Sequence, residues 1–398
     1  MASICFYFQV HQPYRLKEYS FFHIGREYQY ENHELNLQIL NKVSDKCYLK
    51  ANALLLKQIK KHKGNFKVAY SISGVALEQF EKYRPDVLAS FQALAKTGNV
   101  EFLSETYYHS VAALYSADEF QRQVDLHKSK VKALFGVEPT IFRNTELIYN
   151  NNIAKYVQKH GFAGVLCEGA ERLIAANPVN KVYLAHNKKG IPVLARNYKL
   201  SDDMSFRFSD QNWKEWPLTA PKFASWLQDV AKEKDDVLNL FMDYETFGEH
   251  QWEDTGIFTF LEKLPDEVLK NTTLNFKTPS EVIASYPSKY VVDAPETISW
   301  ADAERDMSAW QGNSMQHECL EKIYSLEDDV IATGDAGLIE CWAKLQTSDH
   351  FYYMSTKHAS DGAVHSYFSP YHTPHDAYLH YINILADFEI RVNKAKNT

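Results

Sequence analysis

Between residues 4 and 245 the chain returns repeatedly to short, unbroken runs of β-branched, aromatic and aliphatic residues, with helix-patterned stretches between them. The runs are ICFYFQV (4–10), FKVAYSI (66–72), VEFLSE (100–105), TIFRNTE (140–146), GVLCE (164–168), PVLARN (192–197) and VLNLFMDYE (237–245). A strand with one face in water alternates apolar and polar residues, whereas an unbroken apolar run belongs to a strand covered on both faces, as in a parallel sheet clothed by helices. Such a series of strand and helix repeats predicts an α/β chain whose first 290 residues form a closed or nearly closed (β/α) barrel. An open, doubly wound sheet satisfies the same pattern and is the structural alternative.

The helices carry their own start signals. Ser116-Ala117-Asp118-Glu119 reads as a capping box opening a helix that runs to Leu134 and stops at Gly136. Thr278-Pro279-Ser280-Glu281 combines a capping box with proline at the first helical position. Beyond about residue 290 strand-like runs become rare, and helical patterns cover Ala301–Trp310, Met315–Thr333, Ala336–Leu345 and Pro374 to about Lys394. This predicts a helical C-terminal domain over 291–398, packed on the barrel.

Charge and cysteine content narrow the functional classes. A net charge of -8 without a basic cluster argues against nucleic acid as a partner, since binding a polyanion needs a surface that releases counterions. The five cysteines are scattered and contain no C-x-x-C pair, so neither a disulfide framework nor a structural zinc site is expected. Residues 1–10 enter an apolar run with no basic leader, and no uncharged run of ~18 apolar residues follows, so the expectation is a cytoplasmic protein with no membrane segment. Oligomeric state is not legible.

In a parallel barrel the loops after the strand C-termini build the site, and here those positions are acidic. The first run ends in His11-Gln12-Pro13, the third carries Glu101 and Glu105, the fourth ends in Glu146, the fifth in Glu168 and the last in Asp243-Tyr244-Glu245. Desolvating several carboxylates together is costly unless partners compensate. Two chemistries use such a cluster: a pair of carboxylates flanking a glycosidic bond, or Asp and His side chains holding a divalent metal that activates water, as in deacetylases or zinc-dependent mannosidases. The sixteen histidines offer no tight pair such as H-x-x-x-H near an acidic strand end, although His11 and His250 could converge, so no metal site is expected.

These residues resemble the five short regions of glycoside hydrolase family 57, in order and across most of the chain. His11-Gln12-Pro13 is similar to the first region and Gly98-Asn99-Val100-Glu101-Phe102 to the second. Phe142-Arg143-Asn144-Thr145-Glu146 is similar to the third and Met242-Asp243-Tyr244-Glu245-Thr246-Phe247-Gly248 to the fourth, continued by Glu249-His250-Gln251-Trp252. Leu345-Gln346-Thr347-Ser348-Asp349-His350 is similar to the fifth, and Phe368-Ser369-Pro370-Tyr371 resembles the family's α-amylase branch. The resemblance implies an incomplete (β/α)7 barrel, retaining cleavage of α-1,4-glucans or malto-oligosaccharides, no required cofactor, Glu146 as nucleophile and Asp243 as general acid/base. It places His11, Gln12, Glu101, Asp349 and His350 at the substrate. Glu245 and His250 are added to that set by adjacency, and Trp252 as a face on which a sugar ring could stack. Where glucanotransferase members carry Trp three positions before the nucleophile, this chain has Arg143, which favours hydrolysis over the alternatives of 4-α-glucanotransferase or branching activity.

Overall fold

The computed structural model describes residues 1–174, 177–232, 236–270, 272–288, 290–357 and 369–397. Its strands are β1 (Ala2–Val10), β2 (Val68–Ile72), β3 (Val100–Phe102), β4 (Ile141–Arg143), β5 (Gly164–Glu168), β6 (Val182–Ala185), β7 (Pro192–Arg196), β8 (Val237–Asp243), β9 (Leu274–Phe276) and β10 (Tyr290–Val292). They form two sheets, one ordered β3-β2-β1-β8 with β9 also paired to β1, the other β10-β6-β7-β5-β4. All pairings are parallel except β6 with β7.

Two narrow seams join the sheets. Past β3, the Ser104 amide donates to the Ile141 carbonyl and the Arg143 amide to the Ser104 carbonyl, both at 2.9 Å. Past β7, the Asn197 amide donates to the Asn239 carbonyl at 2.9 Å. The result is a ring of seven parallel strands, β1-β2-β3-β4-β5-β7-β8. Closure is incomplete because β6 takes much of the β7 edge that faces β8. The short strands β6, β9 and β10 escaped the sequence pattern, since three or four residues are too few for a period to register.

The expected helix starts hold in part. Ser116 caps Ala117–Phe135 by accepting from the Glu119 amide, and Gly136 closes it in the left-handed region (φ 72°). The reciprocal half of that box is absent, because Glu119 turns its carboxylate to Arg122 and Gln123. At Pro279–Ser285, Glu281 does reach back to the Thr278 amide (3.1 Å). Ala301–Trp310 is not a helix: only Ser308–Gln311 is, because Asp302 and Arg305 adopt positive φ. Met315–Thr333 is split into Ser314–Ser325 and Glu327–Ala332.

The later helices Ala336–Leu345, Ser348–Tyr352 and Pro374–Lys396 pack on the second half of the ring, sharing one core. Phe142, Val165 and Val193 of the strands lie in it with Trp310, Trp342, Phe351 and Phe388. Residue 290 begins β10, so a boundary at 290/291 would cut a strand. We propose that the division falls after β10. Phe368 lies outside the described residues. No described helix is long and apolar enough to cross a membrane.

Candidate active site

Alternate residues of a strand face the same side. Inside the ring this places Tyr7, Ala69, Leu103, Ile141, Leu166, Leu194 and Phe241 in one apolar plug. Two residues further toward each strand's C-terminal end, the inward positions are Gln9, Ser71, Glu105, Arg143, Glu168, Arg196 and Asp243. The lumen therefore passes from apolar to charged within one step of the strand repeat, at the end where barrel sites form.

Glu146 lies beyond this layer and is swung toward it by backbone geometry. Glu146 and Leu147 both have φ in the left-handed region (55° and 51°), a conformation costing on the order of 1 kcal/mol or more for a non-glycine residue. The turn is held by Ile148 N donating to Thr145 O, by Asn144 Nδ2 donating to Ile148 O (3.1 Å), and by Thr145 Oγ1 lying 2.6 Å from Thr106 Oγ1. So placed, Glu146 accepts from Trp300 Nε1 at Oε2 (2.7 Å), while its Oε1 lies 3.0 Å from His109 Nε2.

His109 bridges two acids, with Nδ1 2.9 Å from Glu105 Oε2. Since ionised carboxylates only accept, both ring nitrogens must carry hydrogen, and the ring is an imidazolium. Burial opposes that charge, yet the bonds to Glu105 and Glu146 win and raise its pKa to about 9. The same bonds hold both carboxyls below the usual range, against burial. His11 stacks on this cation with ring centroids 3.9 Å apart. Burial and then the His109 charge push the His11 pKa down, so it is neutral and donates through Nε2 to Asp349 Oδ2 (2.9 Å) while Nδ1 accepts from Ser73 (2.7 Å).

Asp243 behaves oppositely. Burial first, and the Glu146 charge second, push its pKa up to about 7. Glu245, buried and next to Asp243, is raised to about 8, and its carboxyl accepts from the Tyr48 hydroxyl, which in turn accepts from Gln12 Nε2 (3.2 Å).

The residues singled out from the sequence thus have different fates. Glu146, Asp243, His11, Asp349 and Glu245 converge, with Gln12 two hydrogen bonds behind Glu245, through Tyr48. Trp252 is 54% exposed, with Lys46 Nζ 5.1 Å from the ring centroid. Glu101 does not join them. It faces inward, but two inward positions below Glu105, at the opposite end of the apolar plug, where its Oε2 accepts from Ser280 N (2.9 Å) and Oγ (3.0 Å) and caps Pro279–Ser285. Glu101→Ala is expected to cost about 1–2 kcal/mol of stability with kcat unchanged, measured by thermal unfolding and glucan assays; a large fall in kcat would return Glu101 to the site. His350 also turns away, packing 5.8 Å from Tyr381 in the helical region, where burial lowers its pKa to about 4. The His250 backbone amide closes the loop onto the Glu245 carbonyl (2.9 Å), and its ring, also lowered to about 4 by burial, stays neutral.

Sequence reasoning missed His109, Trp300, Arg143 and Gln9 as parts of the site. Gln9 and Arg143 follow Tyr7 and Ile141 by two residues, but an unbroken apolar run does not show which parity faces the lumen. His109 and Trp300 had no local signal, since Trp300 is 154 residues from its partner Glu146. Glu168, another of the strand-end acids, instead forms an ion pair with Arg196 (3.1 Å). Among the described residues no group of three or more His, Cys, Asp or Glu side chains could hold a metal ion.

Comparison with known proteins adds to this geometry. The family model of Glycosyl hydrolase family 57 matches residues 5–295. A putative α-amylase of Methanocaldococcus jannaschii is 43% identical over 98% of the chain and 85% of its own length. An α-amylase of Pyrococcus abyssi is 24% identical over 71% of the chain, which spans only 42% of that relative. In fold the chain is similar to a branching enzyme of Pyrococcus horikoshii, with a TM-score of 0.71 and 17% identity over 98% of this chain and 94% of that one.

Proposed function

The chain belongs to glycosyl hydrolase family 57, and from that premise we propose that it hydrolyses α-1,4-glucosidic bonds of glucans or malto-oligosaccharides with retention of configuration. In this reading Glu146 is the nucleophile and Asp243 the general acid/base. The observation that carries it is the opposed surroundings of two neighbouring carboxyls: Glu146 is bonded to His109 and Trp300, which with Arg143 favour its ionised form against burial, while burial and the Glu146 charge push Asp243 up to about 7. Environments that drive two acids apart in this way divide the roles between them.

The steps follow. The Glu146 carboxylate attacks the anomeric carbon as the glycosidic C–O bond breaks, and Asp243 gives its proton to the departing oxygen. Asp243, now ionised, takes a proton from water; the hydroxyl adds to the anomeric carbon and Glu146 leaves. His109 and Trp300 keep both Glu146 oxygens oriented throughout. His11 and Asp349, beside the pair, are assigned to sugar hydroxyls, Gln12 and Glu245 to support of Asp243, and Trp252 to stacking at the rim.

The test is proton NMR of maltoheptaose digestion, which follows the anomer formed first. Newly released ends in the α configuration are the expected result, since two inversions restore the starting geometry; β ends first would overturn it. Products longer than heptaose would assign transfer to a sugar acceptor through the same intermediate.

A further inference from the structure

Arg143 is fully buried, and none of its three guanidinium nitrogens has a hydrogen-bond partner among the described residues. A buried polar group left without partners calls for an explanation, and a buried charge does so more strongly. The guanidinium carbon lies 4.8 Å from the Trp300 ring centroid and 6.0 Å from that of Tyr7, so aromatic faces hold it. With the guanidinium buried, its influence on the reaction passes through its charge and through the rings it packs against.

Other charged groups face the pair. His109 is bonded to Glu105 and Glu146, and Arg196 is paired with Glu168 and Asp202. Glu105, Glu245 and Asp349 complete the set, Glu105 and Asp349 ionised and Glu245 protonated at neutral pH. Arg143 differs from the other cations in having no carboxylate bonded to it, and it lowers the pKa of Glu105, Glu146 and Asp243 alike.

We infer that Arg143 is a positioning residue for the Glu146 and Asp243 pair: lodged against Tyr7 and Trp300 where no hydrogen bond neutralises it, its fixed charge favours the ionised form of both carboxyls and so sets the pH range of turnover. It also steadies the indole that donates to Glu146. This inference rests on the pair assigned above.

The experiment is the pH profile of kcat/KM on maltoheptaose for the wild type, Arg143→Met, Arg143→Gln and Arg143→Lys, with thermal unfolding to confirm that each is folded. Without the cation each carboxyl keeps its proton to higher pH, so both limbs of the bell move up by about one unit in the neutral variants, the shift expected from losing a nearby opposite charge. The lysine variant keeps both limbs near the wild-type positions. Unmoved limbs in a folded neutral variant overturn the inference, as does an equal shift in the lysine variant. Glu146→Gln is run alongside: a dead Glu146→Gln with unmoved limbs sinks this inference alone, whereas an active one removes the pair assignment beneath it.

Discussion

Glu146→Gln is expected to lower kcat on maltoheptaose by a factor on the order of 10⁴ or more, as loss of a nucleophile does elsewhere, while leaving the melting temperature close to wild type. The near-isosteric amide can keep the Trp300 bond through its oxygen. Its NH2 then faces His109 Nε2, and that nitrogen can shed its proton and accept, because one of the two charges that stabilised the imidazolium has gone while Nδ1–H still donates to Glu105. The fold is retained while the attacking carboxylate is lost, so the kinetic deficit reports on chemistry. A variant with normal melting and kcat within tenfold of wild type would remove Glu146 from the reaction.

Asp243→Ala should lose about 10²–10⁴-fold in rate on malto-oligosaccharides, the usual worth of general acid–base catalysis, and far less on a substrate whose leaving group departs unprotonated. Azide, small and already anionic, needs no base and should restore turnover of the activated substrate by resolving the glycosyl-enzyme. Its product should be the α-glycosyl azide, since attack on the intermediate is the second inversion. The alkaline limb near pH 7 should vanish with the group that titrates there. Failure of azide to accelerate the variant, or formation of the β azide, would overturn the role of Asp243.

These experiments probe residues that reached the site by different routes. His11, Glu146 and Asp243 were visible as polar residues ending apolar runs, and Asp349 through its resemblance to a motif. Glu101 and Glu105 show where such reading ends. Both sit on β3 or just past it with the same inward parity, and parity alone does not tell which lies at the working end of the lumen. The difference is decided by where the plug residue Leu103 falls between them. His350, adjacent to Asp349 on a five-residue helix, was carried along by its neighbour and then separated from it by helical geometry, which points successive side chains in different directions.

By itself the sequence determined the alternation of buried strands with helices, hence a parallel sheet covered on both faces, because the apolar character of each run is written into neighbouring residues. Only the tertiary structure decided which inward acids meet, which cations face them and which carboxyl holds a proton. Those properties depend on burial and on charges from segments far apart in the chain, as when Trp300 and His109 grip Glu146, and the pKa of a carboxyl is set by its surroundings in space rather than by its neighbours in sequence.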